Sequence, residues 1–148
     1  MSVDVRTELV IDAPRERVAD YATDPANAPH WYANIRSVEW RTRPPLRVGS
    51  RFTFVARFLG RQLEYTYEVV AFEPGERLVM RTSEGPFPME TTYEWETCDD
   101  DRTRMTLRNR GEPSGFARLG APVLANAMRQ ANRKDLARLA ELLGAAGP

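Results

Sequence analysis

The chain has 148 residues, 42% of them hydrophobic and 28% charged, which suits one globular domain with a sizeable core. Its 21 basic and 21 acidic residues cancel, so no overall field draws it to nucleic acid or an anionic membrane, and neither is expected as a partner. Cys98 is the only cysteine and His30 the only histidine, which excludes an internal disulfide and a His/Cys metal centre; no metal and no cofactor is expected.

The first residues carry charges at Asp4, Arg6 and Glu8 and no long apolar run. Neither a signal peptide nor stable membrane insertion is expected, and the cytoplasm is the expected compartment. Val3, Val5, Thr7, Leu9 and Ile11 alternate with Asp4, Arg6 and Glu8, the pattern of a half-buried strand. Asp12-Ala13-Pro14 offers a capping carboxylate and a first-turn proline, predicting a short helix over 14–22. Asp24-Pro25 repeats the signal for a second short helix ending near Pro29. A strand over 35–41 follows, then a loop through Pro44, Pro45 and Gly49.

Residues 51–110 read as five strands, 51–58, 61–72, 77–83, 88–97 and 102–110. Turn signals separate them at Leu59-Gly60, Glu73-Pro74-Gly75-Glu76, Gly85-Pro86 and Asp99-Asp100-Asp101. The segment 114–143 has helical periodicity and Gly144 as a stop; such a helix is roughly 45 Å long. Pro122 either kinks it or marks its true start. Phe116, Leu119, Val123 and Ala127 share one face, whereas Leu136, Leu139 and Leu143 are rotated from it, so the two halves should cover different surroundings. With no repeat or linker, residues 1–148 read as a single domain.

The hairpins constrain one another, because side chains alternate faces along a strand. A two-residue turn at Leu59-Gly60 sets Phe58 opposite Arg61, Ala56 opposite Leu63, Phe54 opposite Tyr65 and Phe52 opposite Tyr67. The next turns pair Ala71 with Leu78, Val69 with Met80, Tyr67 with Thr82, Met80 with Thr91 and Leu78 with Tyr93. The last hairpin is expected to pair Tyr93 with Met105, Thr91 with Leu107 and Met89 with Asn109. Beyond Arg61 at the end of the first hairpin, one face is then aromatic and aliphatic, with no Asp, Glu, Lys, Arg or His. The other carries Arg57, Gln62, Glu64, Glu68, Arg81, Glu90, Glu94, Arg104 and Arg108, with cross-strand pairs expected for Glu68–Arg81, Arg81–Glu90 and Glu94–Arg104. A one-sided sheet needs a cover, and the long C-terminal helix is the element large enough to supply it.

This α+β order, a strand, two short helices, six strands and a long helix, resembles the START-like or Bet v 1-like (SRPBCC) superfamily. Within it the chain looks most like the polyketide cyclase/dehydrase and lipid-transport group. The residues that carry the likeness are Ile11-Asp12-Ala13-Pro14 with Val18, Thr23-Asp24-Pro25 with Trp31, Val38-Glu39, and Arg47-Val48-Gly49-Ser50-Arg51-Phe52. Tyr67-Glu68-Val69, Pro74-Gly75-Glu76-Arg77-Leu78 and Gly85-Pro86-Phe87 complete it. The resemblance implies the helix-grip fold, a curved seven-stranded antiparallel sheet wrapped around the long C-terminal helix. The family includes lipid and sterol carriers, coenzyme-Q-binding proteins and aromatase/cyclases, and no motif here selects among them.

The resemblance also implies a ligand between sheet and helix. The inward residues Phe54, Tyr65, Tyr67, Met80, Thr91, Tyr93, Trp95, Leu107 and Asn109 then become the expected lining, with Phe116, Leu119, Val123 and Ala127 from the helix. The same side chains also make an ordinary solid core, and composition alone does not separate the two. Asn109 is a polar group that needs partners in either case. His30 is the one side chain whose ordinary pKa lies near neutrality, and it is the candidate acid or base if the protein is an enzyme.

Three functions remain open on these residues. The first is binding or carriage of an apolar small molecule such as a lipid, an isoprenoid or a polyketide-like compound. The second is a cofactor-free polyketide cyclase/dehydrase-like enzyme. The third is an interaction module with a filled core. The sequence carries no mark of oligomeric state.

Overall fold

The computed structural model describes residues 2–85, 87–99, 101–112 and 120–144. Its sheet is built from β1 (Val3–Ile11), β2 (Ile35–Trp40), β3 (Arg51–Phe58), β4 (Arg61–Glu73), β5 (Arg77–Glu84), β6 (Met89–Asp99) and β7 (Arg102–Gly111). All seven pair antiparallel, in the order β1-β7-β6-β5-β4-β3-β2. Helix α1 (Arg15–Thr23), a 3-10 turn (Pro25–Asn27) and α2 (Ala28–Trp31) carry the chain from β1 at one edge to β2 at the other. The sheet curls into a half barrel and α3 (Ala121–Gly144) lies across its concave side; this is the helix-grip fold.

The short-range signals act largely as expected. Asp24 Oδ1 accepts the Ala26 N–H at 3.0 Å and starts the 3-10 turn. Asp12 does not cap α1, whose N-terminal position is Pro14 without a side-chain hydrogen bond. Leu59 and Gly60 both take positive φ, 50° and 79°, which closes the β3–β4 hairpin with the twist a two-residue turn requires.

The β3–β4 register is the expected one, as is β5–β6 at Met80–Thr91 and Leu78–Tyr93. Between β4 and β5, Tyr67 faces Thr82 and Val69 faces Met80, but a bulge then places Ala71 opposite Val79 and Phe72 opposite Leu78. The β6–β7 pairing differs from the expected one by two residues. Tyr93 faces Leu107, Thr91 faces Asn109, Trp95 faces Met105, and Met89 faces Gly111. The hairpin turns one residue later, with Asp99 opposite Arg102. A shift of two leaves every side chain on its predicted face and changes only its neighbour.

The convex face carries the charges. Arg81 Nε meets Glu90 at 2.6 Å, and Arg110 meets the other oxygen of Glu90 at 2.7 Å. Arg108 grips Asp4 of β1 with two bonds, 2.8 and 2.6 Å. The expected Glu94–Arg104 pair is absent because the shifted register puts Glu94 opposite Thr106 and Arg104 opposite Glu96.

Pro122 sits in the first turn of α3, so it marks the start of the helix rather than a kink. The two halves of α3 do bury different things. Leu124 and Met128 pack with Val3, Val5 and Leu63. Leu136, Leu139 and Leu143 join the larger core with Ile11, Val18, Trp31 and Trp95. The N-terminal stripe is rotated from the expected one: Val123 is 57% exposed and Leu124 is fully buried. Leu136, Leu139 and Leu143 fix the rotation of the helix, and counting back from them by whole turns reaches Met128 and Leu124 rather than Ala127 and Val123.

Candidate functional site

Between the two apolar halves of α3, the concave face encloses a cavity of about 130 Å³. That is smaller than the few hundred cubic ångströms typical of ligand sites. Taking ~10–15 Å³ of such space per water, it holds on the order of ten waters, comparable to a two-ring molecule. Part of the space is taken by a side chain that the inward-strand argument did not include: Tyr32 enters from the turn after α2.

The sheet supplies most of the wall. Phe54, Tyr65, Tyr67, Met80, Thr91, Tyr93 and Asn109 line it as the hairpin registers require, joined by Ala56, Phe58, Leu63, Thr82 and Met89. None of these is charged. Trp95 and Leu107 face the same way but are buried in the core behind α1 and α3 and do not reach the cavity. Trp95 lies nearer the tip of the β6–β7 hairpin than Tyr93, Leu107 lies opposite Tyr93, and both belong to the core that includes Leu136 and Leu139.

The helix contributes different residues from those expected. Leu124, Met128, Ala131, Asn132 and Asp135 line the cavity. Val123 points to solvent, and Ala127 is half-buried away from the lining, both because of the rotation described above. Phe116 and Leu119 lie outside the described residues. His30 is exposed on α2 and does not border the cavity, so the titratable group at this site is a different one.

That group is Asp135, only 2% exposed. Its Oδ1 accepts the Ala33 N–H at 3.0 Å. Loss of water around the carboxyl pushes its pKa up to about 6, against the opposing pull of the Ala33 bond and Lys134. The carboxylate in turn helps to raise Tyr32, Tyr65 and Tyr93, for which burial is the larger cause. One turn before it, Asn132 is 5% exposed and its Nδ2 has no hydrogen-bond partner. A buried amide left unsatisfied costs ~1–3 kcal/mol, which marks this end of the cavity as unusual.

Two short hydroxyl networks complete the polar lining. The Tyr32 and Tyr93 hydroxyls meet at 2.5 Å. One proton suffices for that bond, so the pair retains a second to donate. Thr91 donates to Asn109 Oδ1 at 2.8 Å, which obliges Tyr67 to be the donor in its 2.8 Å contact with Thr91. Burial pushes the Tyr67 pKa up to about 12. None of the buried tyrosines is therefore a base at neutral pH; they are hydrogen-bonding posts.

Trp31 is a packing anchor rather than a lining residue, with ring centroids 4.2 Å from Tyr32 and 5.7 Å from Tyr93. It holds the wall from behind.

Solved structures share this architecture. A protein from Thermus thermophilus is 25% identical, superposes with a TM-score of 0.82, and covers 98% of this chain and 99% of its own. A START superfamily protein from Mycobacterium smegmatis is 13% identical with a TM-score of 0.84, over 97% and 99% of the two chains. The Zhui aromatase/cyclase from a Streptomyces species is 15% identical with a TM-score of 0.79, over the whole of both chains. At 13% and 15% identity the likeness is one of fold. No curated protein matches the chain. The model of the family described as polyketide cyclase/dehydrase and lipid transport matches residues 2–144. The chain belongs to that family.

Proposed function

We propose that this protein binds and carries an apolar, ring-bearing small molecule in the cavity between the sheet and α3, with burial of apolar surface as the driving force. The observation that carries the reading is the combination of an uncharged aromatic wall with a few convergent polar groups at one end. Phe54, Tyr65, Tyr67, Met80 and Met128 would enclose the ring system, and Thr91, Tyr93 and Asn109 would orient it. The space beneath α3 favours this reading over that of an interaction module with a filled core. A cytoplasmic location, and no nucleic acid as partner, go with this reading.

Native mass spectrometry of the protein purified from its own host tests it. A stoichiometric co-purifying adduct of small, apolar mass is expected. Protein that carries no adduct and takes up no apolar probe overturns the reading.

One observation favours a second reading, a cofactor-free cyclase-type enzyme. Asp135 is a buried carboxyl with a pKa near neutrality, facing a cavity able to hold a ketone among tyrosine hydroxyls. Proton exchange at the central carbon of a 1,3-diketone in deuterated water reports it. Turnover lost in Asp135→Asn would support an enzyme, whereas exchange at the uncatalysed rate would exclude it.

A further inference from the structure

The polar groups that α3 and the turn after α2 bring to the cavity are not interchangeable, and their inventory restricts what a bound molecule carries. Asn132 presents an amide N–H without a partner in a residue only 5% exposed, and it lines the cavity. Asp135, three residues on and therefore on the same helical face, spends one oxygen on Ala33. Among the described residues nothing donates to the other oxygen. The Tyr32–Tyr93 pair holds one uncommitted hydroxyl proton beside them. The cavity therefore offers an acceptor and donors within one small volume, and an apolar molecule satisfies none of them.

From this arrangement we infer that the cavity selects ligands with a hydroxyl group, an alcohol, phenol or enol, that donates to Asp135 and accepts from Asn132. The inference rests on the carrier reading and names the ligand class for the same site. A hydroxyl fits because it is the smallest group that gives one hydrogen bond and takes another. A ketone or ether would accept from Asn132 but leave the carboxylate unpaired, and a hydrocarbon would leave both unpaired. A carboxylate ligand would face Asp135 as a like charge, with no arginine or lysine among the lining residues to offset it. Burial raises the Asp135 pKa, so the carboxylate gains more from a donor here than it would in water. A bond to a charged group contributes a factor on the order of ten or more to affinity.

The test is equilibrium dialysis at pH 7.5 with three probes of one shape, 2-naphthol, 2-methoxynaphthalene and naphthalene, against the full chain and the variants Asp135→Asn and Asn132→Ala. Thermal unfolding of each variant verifies that it is folded. The expected result is that the native chain binds 2-naphthol about tenfold tighter than either other probe. In Asn132→Ala the preference for 2-naphthol over naphthalene should shrink, while that over 2-methoxynaphthalene persists, because the donation to Asp135 remains. In Asp135→Asn, where an amide can donate, 2-methoxynaphthalene should draw level with 2-naphthol. Equal binding of all three probes by the native chain, or an undiminished preference for 2-naphthol over 2-methoxynaphthalene in Asp135→Asn, overturns the hydroxyl inference and leaves the carrier reading standing. Failure of the native chain to take up any of the three removes the carrier reading, and the inference with it.

Discussion

The Ala33 N–H donates to the Asp135 carboxylate across 3.0 Å, joining the turn after α2 to the long helix 102 residues later in the chain. This bond ties the turn that carries Tyr32 to the stretch of α3 that brings Asn132 and Asp135 to the same cavity. It also leaves a carboxylate in a place where ionisation is costly.

That cost makes a stability prediction. The Asp135 pKa rises from an ordinary 3.8 to about 6 in the folded protein, chiefly because burial disfavours the charge. Between those values the folded state holds the proton more tightly than the unfolded one, so this group's contribution to stability falls as pH rises through that window. Above it the penalty is complete, up to about 3 kcal/mol. Asp135→Asn keeps an acceptor for Ala33 and removes the charge. Urea unfolding at pH 8 should show the variant more stable than the native chain, with the gap closing near pH 4. A variant less stable by the same amount at both pH values would contradict the assignment.

The rotation of α3 is tested by two adjacent truncations. Leu124→Ala empties a fully buried position and should cost about 2–5 kcal/mol. Val123→Ala, at an exposed position, should stay within about 0.5 kcal/mol of the native chain. Denaturant midpoints in the reverse order would restore the stripe through Val123 and Ala127.

The β3–β4 turn holds a leucine at φ 50°, a conformation that branched side chains disfavour and asparagine tolerates. Leu59→Asn converts the turn to Asn-Gly, the preferred pair for this hairpin, and also removes an exposed apolar side chain. Thermal unfolding should register a gain of roughly 1 kcal/mol. A loss would mean that Leu59 packs against something in solution.

Most of the sheet was readable from the chain because period-two alternation is unforgiving: a slip of one residue would bury Glu64, Glu68 and Glu94 together. A slip of two goes unnoticed by that criterion, which is how the β6–β7 pairing came to differ while Tyr93, Thr91 and Asn109 stayed on their predicted face. The β4 bulge has no pattern signal, since Val69, Val70 and Ala71 fit either face. The helix side was harder. Asp135 between Lys134 and Leu136 reads as part of a solvated face, and its burial depends on where the helix meets the sheet. A signal was nonetheless present: Leu124, Met128, Ala131, Asp135 and Leu139 recur at steps of three and four, placing an acid in the middle of a core stripe. His30 drew attention through its chemistry alone, and its position on the exposed side of α2 removes it from the site.

The central claim is that the space beneath α3 takes up an apolar molecule, and a variant that fills the space addresses it most directly. Ala131 lines the cavity from mid-helix, half-buried, and Ala131→Phe would extend a ring into the opening. The measurement is equilibrium dialysis of naphthalene against the native chain and this variant, with thermal unfolding confirming that both are folded. The account predicts saturable one-to-one uptake by the native chain and at least about a tenfold loss in folded Ala131→Phe, as its ring displaces the ligand from most of its contact surface. No saturable uptake by the native chain, or equal uptake by both proteins, would contradict it.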